Sequence, residues 1–220
     1  MITHTFFPED YLPQAARQVN AGRLIMATHG RGRLGQITLG SVAHGLLSTM
    51  EIPIFVVGPK SCTRADHCNP KRILHPVSFS KGYQESVEFA RNIAELHNAE
   101  LMLMHVLDPE LSSQMNQRRT MEWAKNALDE AIPDRTTLTV PLFTHVTCGD
   151  LLEKMLNQAA AFRADWIVLG TKPVSYAPIL ANSAAYKLMA AAPVPVLTVP
   201  RRVRRDAAKL DAKEIPAVVG

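Results

Sequence analysis

The sequence predicts an α/β protein with a doubly wound parallel sheet, and three observations lead to this fold class. From residue 72 to residue 200, apolar strands alternate with segments whose apolar side chains repeat at helical spacing. The strand Glu100–Leu107 is apolar almost throughout, which is typical of a strand buried on both faces of a parallel sheet. The order apolar run, glycine-rich loop, helix, apolar run occurs at residues 24–59 (the first copy) and, more weakly, at residues 166–200 (the second copy).

The first part of the chain supplies the elements of the first copy. Pro13 lies near the start of a helix with a partial apolar stripe, Ser41 is placed to cap the next helix, and Pro53 marks a strand start or a sheet edge. The predicted elements are a helix at residues 5–22, a buried strand at Leu24–Ala27, a helix at Ser41–Met50, a strand at Ile52–Val57 and a linker at residues 58–71.

The rest of the chain carries a complete alternation of strands and helices. Ser80 is placed to cap the first of these helices. The predicted elements are strands at Ile73–Val77, Glu100–Leu107, 137–146, Trp166–Leu169 and Val194–Val199, and helices at 80–97, 112–131 and Leu151–Phe162. Together they predict a five-stranded parallel sheet preceded by a partial copy of the same unit.

Composition excludes several classes of protein. The net charge of +4 is modest, and part of it comes from the cluster Arg201–Arg205, which argues against a specific nucleic-acid surface. No apolar run reaches the roughly 18 residues of a membrane span, and residues 1–4 do not resemble a secretory signal. Three cysteines at no disulfide spacing favour a cytoplasmic protein. The tail at residues 201–220 is predicted to be a flexible basic end, with weak contact to an anionic surface as the alternative.

The glycine-rich loop of the first copy is a candidate anion site. Its glycine N–H groups, followed by the start of a helix at Gly40-Ser41, form a cradle for a phosphate group. Arg31 and Arg33 either add positive charge beside this loop or are ordinary solvated side chains.

Residues with metal-binding or catalytic chemistry form no recognisable site. Four potential ligands lie close together in sequence, but the C-x5-C spacing fits no common zinc pattern, so an exposed linker is the favoured interpretation over a metal site; they are Cys62, His67, Cys68 and His75. His29 and His105 have no nucleophile or carboxylate at a recognisable spacing, and His105 is interpreted as a core histidine. The sequence predicts no catalytic residue and no enzyme activity.

The two copies can be aligned residue by residue. Ala27 pairs with Gly170 at an offset of 143, and Pro53 pairs with Pro195 at an offset of 142. Gly170 lies 99 residues after Lys71, whereas only 26 residues precede Ala27. About 73 residues, the equivalent of the first three strands, are therefore absent from the first copy.

These residues resemble the universal stress protein family, whose ATP phosphate loop has the motif G-x2-G-x9-G-[ST]. The first copy matches it as Ala27-x2-Gly30-x9-Gly40-Ser41, with alanine in place of the first glycine. The resemblance covers about residues 10–200, and it extends to the tripeptide Thr28-His29-Gly30, the run Leu39–Val42, the closing P-x-x-V-V strand, and the stretches Ile73–Ser80 and Leu101–Val106.

The resemblance implies an adenine nucleotide alpha hydrolase-like fold and a tandem arrangement. The implied divisions are a partial domain at 1–60, a linker at 61–71, a complete domain at 72–200 and the tail at 201–220. The last strands of the two copies are expected to pair edge to edge, either within the chain or between two chains in a homodimer. The incomplete first copy is expected to expose the flank of its first strand.

The resemblance also implies nucleotide-binding residues in both copies. Those of the first copy are Met26, Ala27, Gly30, Gly40, Ser41 and Val42; those of the second copy are Pro76, Val77, Ser78, Val106 and Gly170. Ser78 stands where ATP-binding members have an aspartate for the ribose, and Pro173 and Asn182 replace two loop glycines. Neither copy is expected to hold a whole site: the first has the phosphate half and the second a weakened adenine half. The alternative is that neither set binds a nucleotide. The loop of the first copy would then only turn the chain, and the residues of the second copy would pack at the end of the sheet.

The expected function is a cytoplasmic, non-enzymatic stress-response protein that acts through protein interaction or dimerisation, with nucleotide binding weakened or lost. One alternative is a switch that binds ATP, with Mg²⁺, at the loop of Gly30, Gly40 and Ser41, completed by another chain. A second alternative is a slow nucleotide hydrolase, against which the lack of a placed base or metal-binding carboxylate argues.

Overall fold

A computed structural model describes residues 8–27, 40–61, 68–80, 82–109, 117–132, 137–171 and 184–200. Several predictions concern residues outside these ranges. They are the predictions for the loop at residues 28–39, for the loop at residues 172–183, for most of the linker and for the tail at residues 201–220. These include the predictions for Gly30, Arg31, Arg33, Pro173 and Asn182.

The described residues confirm the α/β prediction. The elements, in chain order, are α1 (Pro8–Gln18), β1 (Leu24–Ala27), α2 (Ser41–Thr49), β2 (Ile54–Val57), β3 (Arg72–Pro76), α3 (Tyr83–His97), β4 (Glu100–Leu107), α4 (Gln117–Glu130), β5 (Leu142–Cys148), α5 (Leu151–Ala161), β6 (Trp166–Thr171), α6 (Ala184–Ala191) and β7 (Val196–Pro200). Within the described residues, no helix is both long and apolar enough to cross a membrane.

All seven strands form one sheet in the order β1-β2-β7-β6-β3-β4-β5. Every neighbouring pair is parallel except β2 and β7, which are antiparallel with Ile54 opposite Thr198 and Val56 opposite Val196. The last strands of the two copies therefore pair within the chain, which confirms one of the two alternatives. Both strands have a neighbour on each side, so neither has an edge left to join a second chain.

The two faces of the sheet are covered unequally. One core cluster lies on the face that carries α1, α2, α5 and α6, and it extends across the sheet from β1 to β4. The other cluster lies under α3 and α4, and on the side of β2 it ends at Phe55, whose ring is 4.9 Å from that of Trp166. Among the described residues, no helix covers this second face over β1.

This uneven cover corrects the prediction that Leu24–Ala27 is a buried strand. The strand has the predicted bounds, but its side chains alternate between half-buried and exposed, and Ile25 is 67% exposed. Its counterpart in the second copy, Val168, is completely buried because β3 lies beside β6 and α3 lies over it.

Both predicted helix caps were wrong by one or more residues. Gly40 is the N-cap of α2, so Ser41 is the first helical residue, and Gly82 precedes α3 in the left-handed conformation with a φ of 81°. Ser80 instead accepts a backbone hydrogen bond from Tyr83 through its carbonyl group. Glycine takes the left-handed conformation without the steric cost that a side chain would add, which explains why the helix begins after Gly82.

Prolines lie at two places where the element bounds differ from the prediction. Within the described residues α1 spans Pro8–Gln18 with Pro13 inside it, and Val19, beyond its last residue, is 74% exposed instead of packing inward. β5 begins at Leu142 because Pro141 has no N–H to donate; its carbonyl group accepts from Leu101 at 2.9 Å.

Candidate functional site

The first candidate half-site lies at the carboxyl end of β1 and the start of α2. Met26 is half-buried in the core, Ala27 is exposed, and Val42 is half-buried against the same core. Gly40 has an extended conformation with a φ of −62°, and no described atom lies within 4 Å of the position a Cβ would take. Among the described residues no side chain caps α2, so none of them occupies its first N–H groups, as an anion site requires.

The second candidate half-site lies at the carboxyl ends of β3 and β4. Val77 is buried, and its N–H donates to the Met104 carbonyl at 2.7 Å, so its backbone is held in the sheet. Pro76 and Val106 are half-buried on either side of it. Ser78 is exposed, and its hydroxyl oxygen lies 2.9 Å from that of Ser80. A pair of neutral hydroxyl groups thus occupies the place where the resemblance implies a ribose-binding carboxylate.

Gly170 has a packing role in the second half-site. A Cβ at this position would lie 2.9 Å from both Cβ and Oγ of Ser86 on α3, which is closer than real side chains approach. The glycine therefore allows α3 to pack against the end of β6. This contact supports the alternative that Gly170 serves sheet-end packing.

Two histidines at this end of the sheet are held by backbone carbonyl groups. His105 Nδ1 donates to the Val77 carbonyl at 2.7 Å, which confirms that its hydrogen bonding is satisfied within the fold. Burial lowers its pKa, and the bond to Val77 partly opposes this effect. His75 is completely buried; its Nδ1 donates to the Val168 carbonyl at 2.8 Å and its Nε2 lies 3.2 Å from Ser86 Oγ. Burial lowers the pKa of His75 from 6.5 to about 4, against the effect of the Val168 bond.

An aromatic cluster beside the second half-site was not predicted from the sequence. The Phe79 ring lies 4.6 Å from His105, 5.2 Å from Tyr83 and 5.3 Å from Trp123, measured between ring centroids. Phe79 has a left-handed φ of 48°, which is strained for a residue with a side chain, and the three ring contacts offset that strain. The signal available in the sequence was the presence of aromatic residues after β3 and on the helix that precedes β5.

The described residues give no support to the metal alternative. Both ring nitrogens of His75 are engaged inside the core, Cys68 is exposed, and Cys62 and His67 lie outside the described residues. In the described part of the chain, no group of three or more histidine, cysteine or acidic side chains is arranged to hold a metal ion.

The two half-sites face opposite ends of the sheet. β1 runs parallel to β2, β2 runs antiparallel to β7, and β7, β6 and β3 run parallel to one another. The carboxyl end of β1, which leads to the phosphate loop, therefore lies at one end of the strands. The carboxyl ends of β3 and β6 lie at the other end. The phosphate half of the first copy and the adenine half of the second cannot meet in one chain.

Comparison with known proteins agrees with the fold. A universal stress protein from Archaeoglobus fulgidus DSM 4304 superimposes with a TM-score of 0.63 at 21% identity, covering 88% of this chain and 65% of that one. A functionally unknown protein from Pseudomonas aeruginosa PAO1 gives 0.67 at 16% identity, covering 90% and 69%. Universal stress protein UspA from Lactobacillus plantarum gives 0.50 at 25% identity, covering 59% and 97%. The chain thus spans about two thirds of the two longer structures, and no curated protein matches it.

The family comparison covers most of the sequence. The model of the Universal stress protein family matches residues 7–58 and again residues 69–200, which is the two-segment pattern that the internal repeat indicates. The chain belongs to the Universal stress protein family.

Proposed function

We propose that this chain is a non-enzymatic stress-response protein that acts through protein interaction, with adenine nucleotide binding weakened or lost. The observation that carries the proposal is the placement of the two half-sites at opposite ends of the sheet. A partial domain at residues 1–60, a linker at 61–71, a complete domain at 72–200 and a tail at 201–220 are part of this proposal. So is a cytoplasmic location, for which the exposed, free Cys68 gives some support.

Among the described residues, the first copy has no strand on which adenine and ribose contacts would lie. In the second copy β6 has β3 as its parallel neighbour, and β3 leads into Pro76, Val77 and Ser78. In the first copy β1 pairs with β2 alone among the described strands. The open start of α2 at Gly40 can therefore contact a phosphate group, but no described residue is placed to hold the rest of a nucleotide.

The second copy has the strand that would contact adenine, but the candidate residues of this half-site contact other parts of the protein. Ser78 offers a neutral hydroxyl that already lies 2.9 Å from Ser80, and Gly170 makes room for Ser86 of α3. His105, the histidine nearest to this half-site, directs its Nδ1 to the Val77 carbonyl. These contacts favour a structural role for the second half-site and give no support to the alternative of a slow nucleotide hydrolase.

A second candidate function is the ATP-binding switch, and the geometry at Gly40 favours it. Its φ of −62° is accessible to any residue, so local backbone geometry does not require glycine there, and no described atom lies within 4 Å of the position a Cβ would take. A glycine with room around it at a helix start is what close approach of a phosphate needs. Such a site needs another chain to supply the adenine and ribose contacts, with Mg²⁺ accompanying the bound ATP.

Calorimetric titration of the protein with ATP and Mg²⁺ separates the two functions. We expect no binding heat up to about 1 mM ATP. A dissociation constant of that size corresponds to a binding free energy of roughly −4 kcal/mol. The variant Gly40→Val with Ser41→Ala is the probe, since valine can adopt the backbone angle of Gly40 and its Cβ would meet no described atom within 4 Å. Thr49→Val, an exposed change at the other end of α2, is the matched control. Micromolar binding that the double variant abolishes and the control retains would establish the switch instead.

A further inference from the structure

A cavity of about 160 Å³ lies where the ends of α1 and α2 lead into β1 and β2. A cavity of about 150 Å³ can hold a benzene ring, so this one fits a molecule of about six to eight non-hydrogen atoms. Its apolar lining includes Ala16, Met50 and Ile52, and its two charged lining residues are Arg17 and Glu51. The cavity is therefore a candidate site for a small molecule that has both apolar and charged groups.

Arg17 is held beside this cavity by its own helix. Its Nε donates to the Pro13 carbonyl group, one turn earlier in α1, at 3.3 Å. No described residue forms an ion pair with the guanidinium group. The terminal nitrogens of a guanidinium group form a planar fork that binds a carboxylate through two parallel hydrogen bonds. Arg17 thus offers the cavity a positioned carboxylate-binding group.

Glu51 provides the opposite charge in the same cavity. It follows the end of α2, where Met50 donates its N–H to the Leu46 carbonyl at 2.9 Å. The carboxyl end of a helix carries a partial negative charge, so Glu51 and the helix end both favour a cation. No described residue, Arg17 included, forms an ion pair with Glu51. A molecule that carries both an anionic and a cationic group can therefore pair with each of these side chains.

The second copy has the same backbone frame without these charges. The turns after α1 and α5 have equivalent backbone hydrogen bonds, and each contains one left-handed residue, Asn20 with a φ of 50° and Arg163 with a φ of 53°. By the alignment of the two copies, the counterparts of the two charged lining residues are Ala160 and Pro193. The repeated frame therefore does not need charge at these positions, and the charged pair is a particular feature of the first copy.

We propose that this cavity binds a small amino acid, a zwitterion with a carboxylate and an ammonium group on a short carbon skeleton. The carboxylate pairs with Arg17 and the ammonium group lies beside Glu51. The carbon skeleton contacts the apolar lining at Met50 and Ile52.

This site goes beyond the function proposed above and does not depend on it. The cavity lies at the amino ends of β1 and β2, whereas the phosphate loop follows the carboxyl end of β1. A four-residue strand is about 13 Å long, so the two sites are separate. Binding of ATP would leave the amino-acid site standing, and a failure to bind amino acids would leave the proposed loss of nucleotide binding standing.

The affinity is expected to be modest. Arg17 and Glu51 are exposed, and ion pairs in contact with water contribute little each. A ligand of this size also buries little apolar surface, so we expect a dissociation constant of about 0.1–10 mM. A ligand with a single charge should bind at least about fivefold more weakly than a zwitterion, because it forms one ion pair instead of two.

An NMR titration of the full, ¹⁵N-labelled 220-residue chain tests the proposal. The probes are L-valine and 4-aminobutanoate, which separate the two charges by a short and a long distance. At least one of them should shift the amide signals of Ala16, Ala21 and Met50 along a saturating curve. Butanoate and butylamine carry one charge each and should bind at least about fivefold more weakly than that probe.

Two variants and a matched control assign the binding to the charged pair. Arg17→Gln and Glu51→Gln should each weaken binding at least about fivefold, because each removes one charge from an exposed side chain. Arg163→Gln removes an exposed arginine from the equivalent turn of the second copy and should leave the affinity unchanged.

Three results would overturn the proposal. They are the absence of a saturable shift with both probes, an affinity that both the Arg17 and the Glu51 variants retain, and binding of butanoate or butylamine as tight as that of the probes. The last result would mean that the cavity recognises one charge only. The comparison of ligands on the wild-type protein gives a decision even where a variant fails to fold.

Discussion

The buried His75 is expected to make the fold sensitive to mild acid. The ring lies completely inside the sheet, where its Nδ1 donates to the Val168 carbonyl, and burial lowers its pKa from 6.5 to about 4. A folded-state pKa below the unfolded value means that the unfolded chain binds the proton more readily. The contribution of His75 to stability is therefore full above pH 6.5 and is lost as the pH falls towards 4.

The size of the effect follows from the difference in pKa. A difference of about 2.5 units corresponds to about 3 kcal/mol in the free energy of unfolding, which is a large part of the stability of an ordinary domain. Burial also lowers the pKa of His97 and His105, so these residues add to the acid sensitivity in the same direction. A variant at His75 is therefore needed to separate its contribution to the pH dependence of the free energy of unfolding from those of His97 and His105.

Urea denaturation between pH 8 and pH 4.5 measures this share in the wild type and in His75→Asn. Asparagine retains an N–H for the Val168 carbonyl but does not titrate. From pH 8 to pH 4.5, the free energy of unfolding of the variant should therefore fall by about 2–3 kcal/mol less than that of the wild type. The variant is expected to be less stable at pH 8, because the smaller side chain leaves a cavity. The same pH dependence in both proteins would refute the reasoning.

Three further predictions concern single positions. Gly170→Ala should lower the free energy of unfolding by about 1–3 kcal/mol, because its Cβ would lie 2.9 Å from a side chain of α3. Gly40→Ala, whose Cβ would meet no described atom within 4 Å, should change it by less than about 1 kcal/mol in urea denaturation. Asp150→Ala should cost about 1 kcal/mol in the same assay, since the carboxylate accepts the Glu153 N–H at 2.8 Å as the cap of α5. Ser78→Asp should not create micromolar ATP affinity, because Pro173 and Asn182 also replace two loop glycines; calorimetric binding at that level would show that the carboxylate alone was missing.

The alternation of elements could be predicted from the sequence because it depends on local patterns. The bounds of β1 and β4 follow from apolar runs, and the inward face of α5 follows from helical spacing, with Met155 and Ala159 buried as expected. The pairing of β2 with β7 was also accessible, because two apolar strands with equivalent places in a repeat need partners. These features are set by side chains close together in sequence.

The features that escaped prediction depend on neighbours distant in sequence or on single backbone angles. Ile25 lies in an apolar run typical of a buried strand, but among the described residues neither a strand nor a helix covers it, so it is exposed. His75 lies in a strand whose three central residues are all buried, and its acceptor, Val168, is 93 residues away. The left-handed conformation of Phe79 has no local signal, because its aromatic partners are brought in by two helices and a strand.

The opposite orientation of the two half-sites is the central claim, and a titration of ATP and Mg²⁺ into the wild-type chain at two protein concentrations tests it most directly. We expect no binding heat up to about 1 mM ATP at either concentration, since no described arrangement within one chain joins a phosphate half to an adenine half. Micromolar binding with one ATP per chain at both concentrations would mean that one chain holds a complete site and would contradict the account.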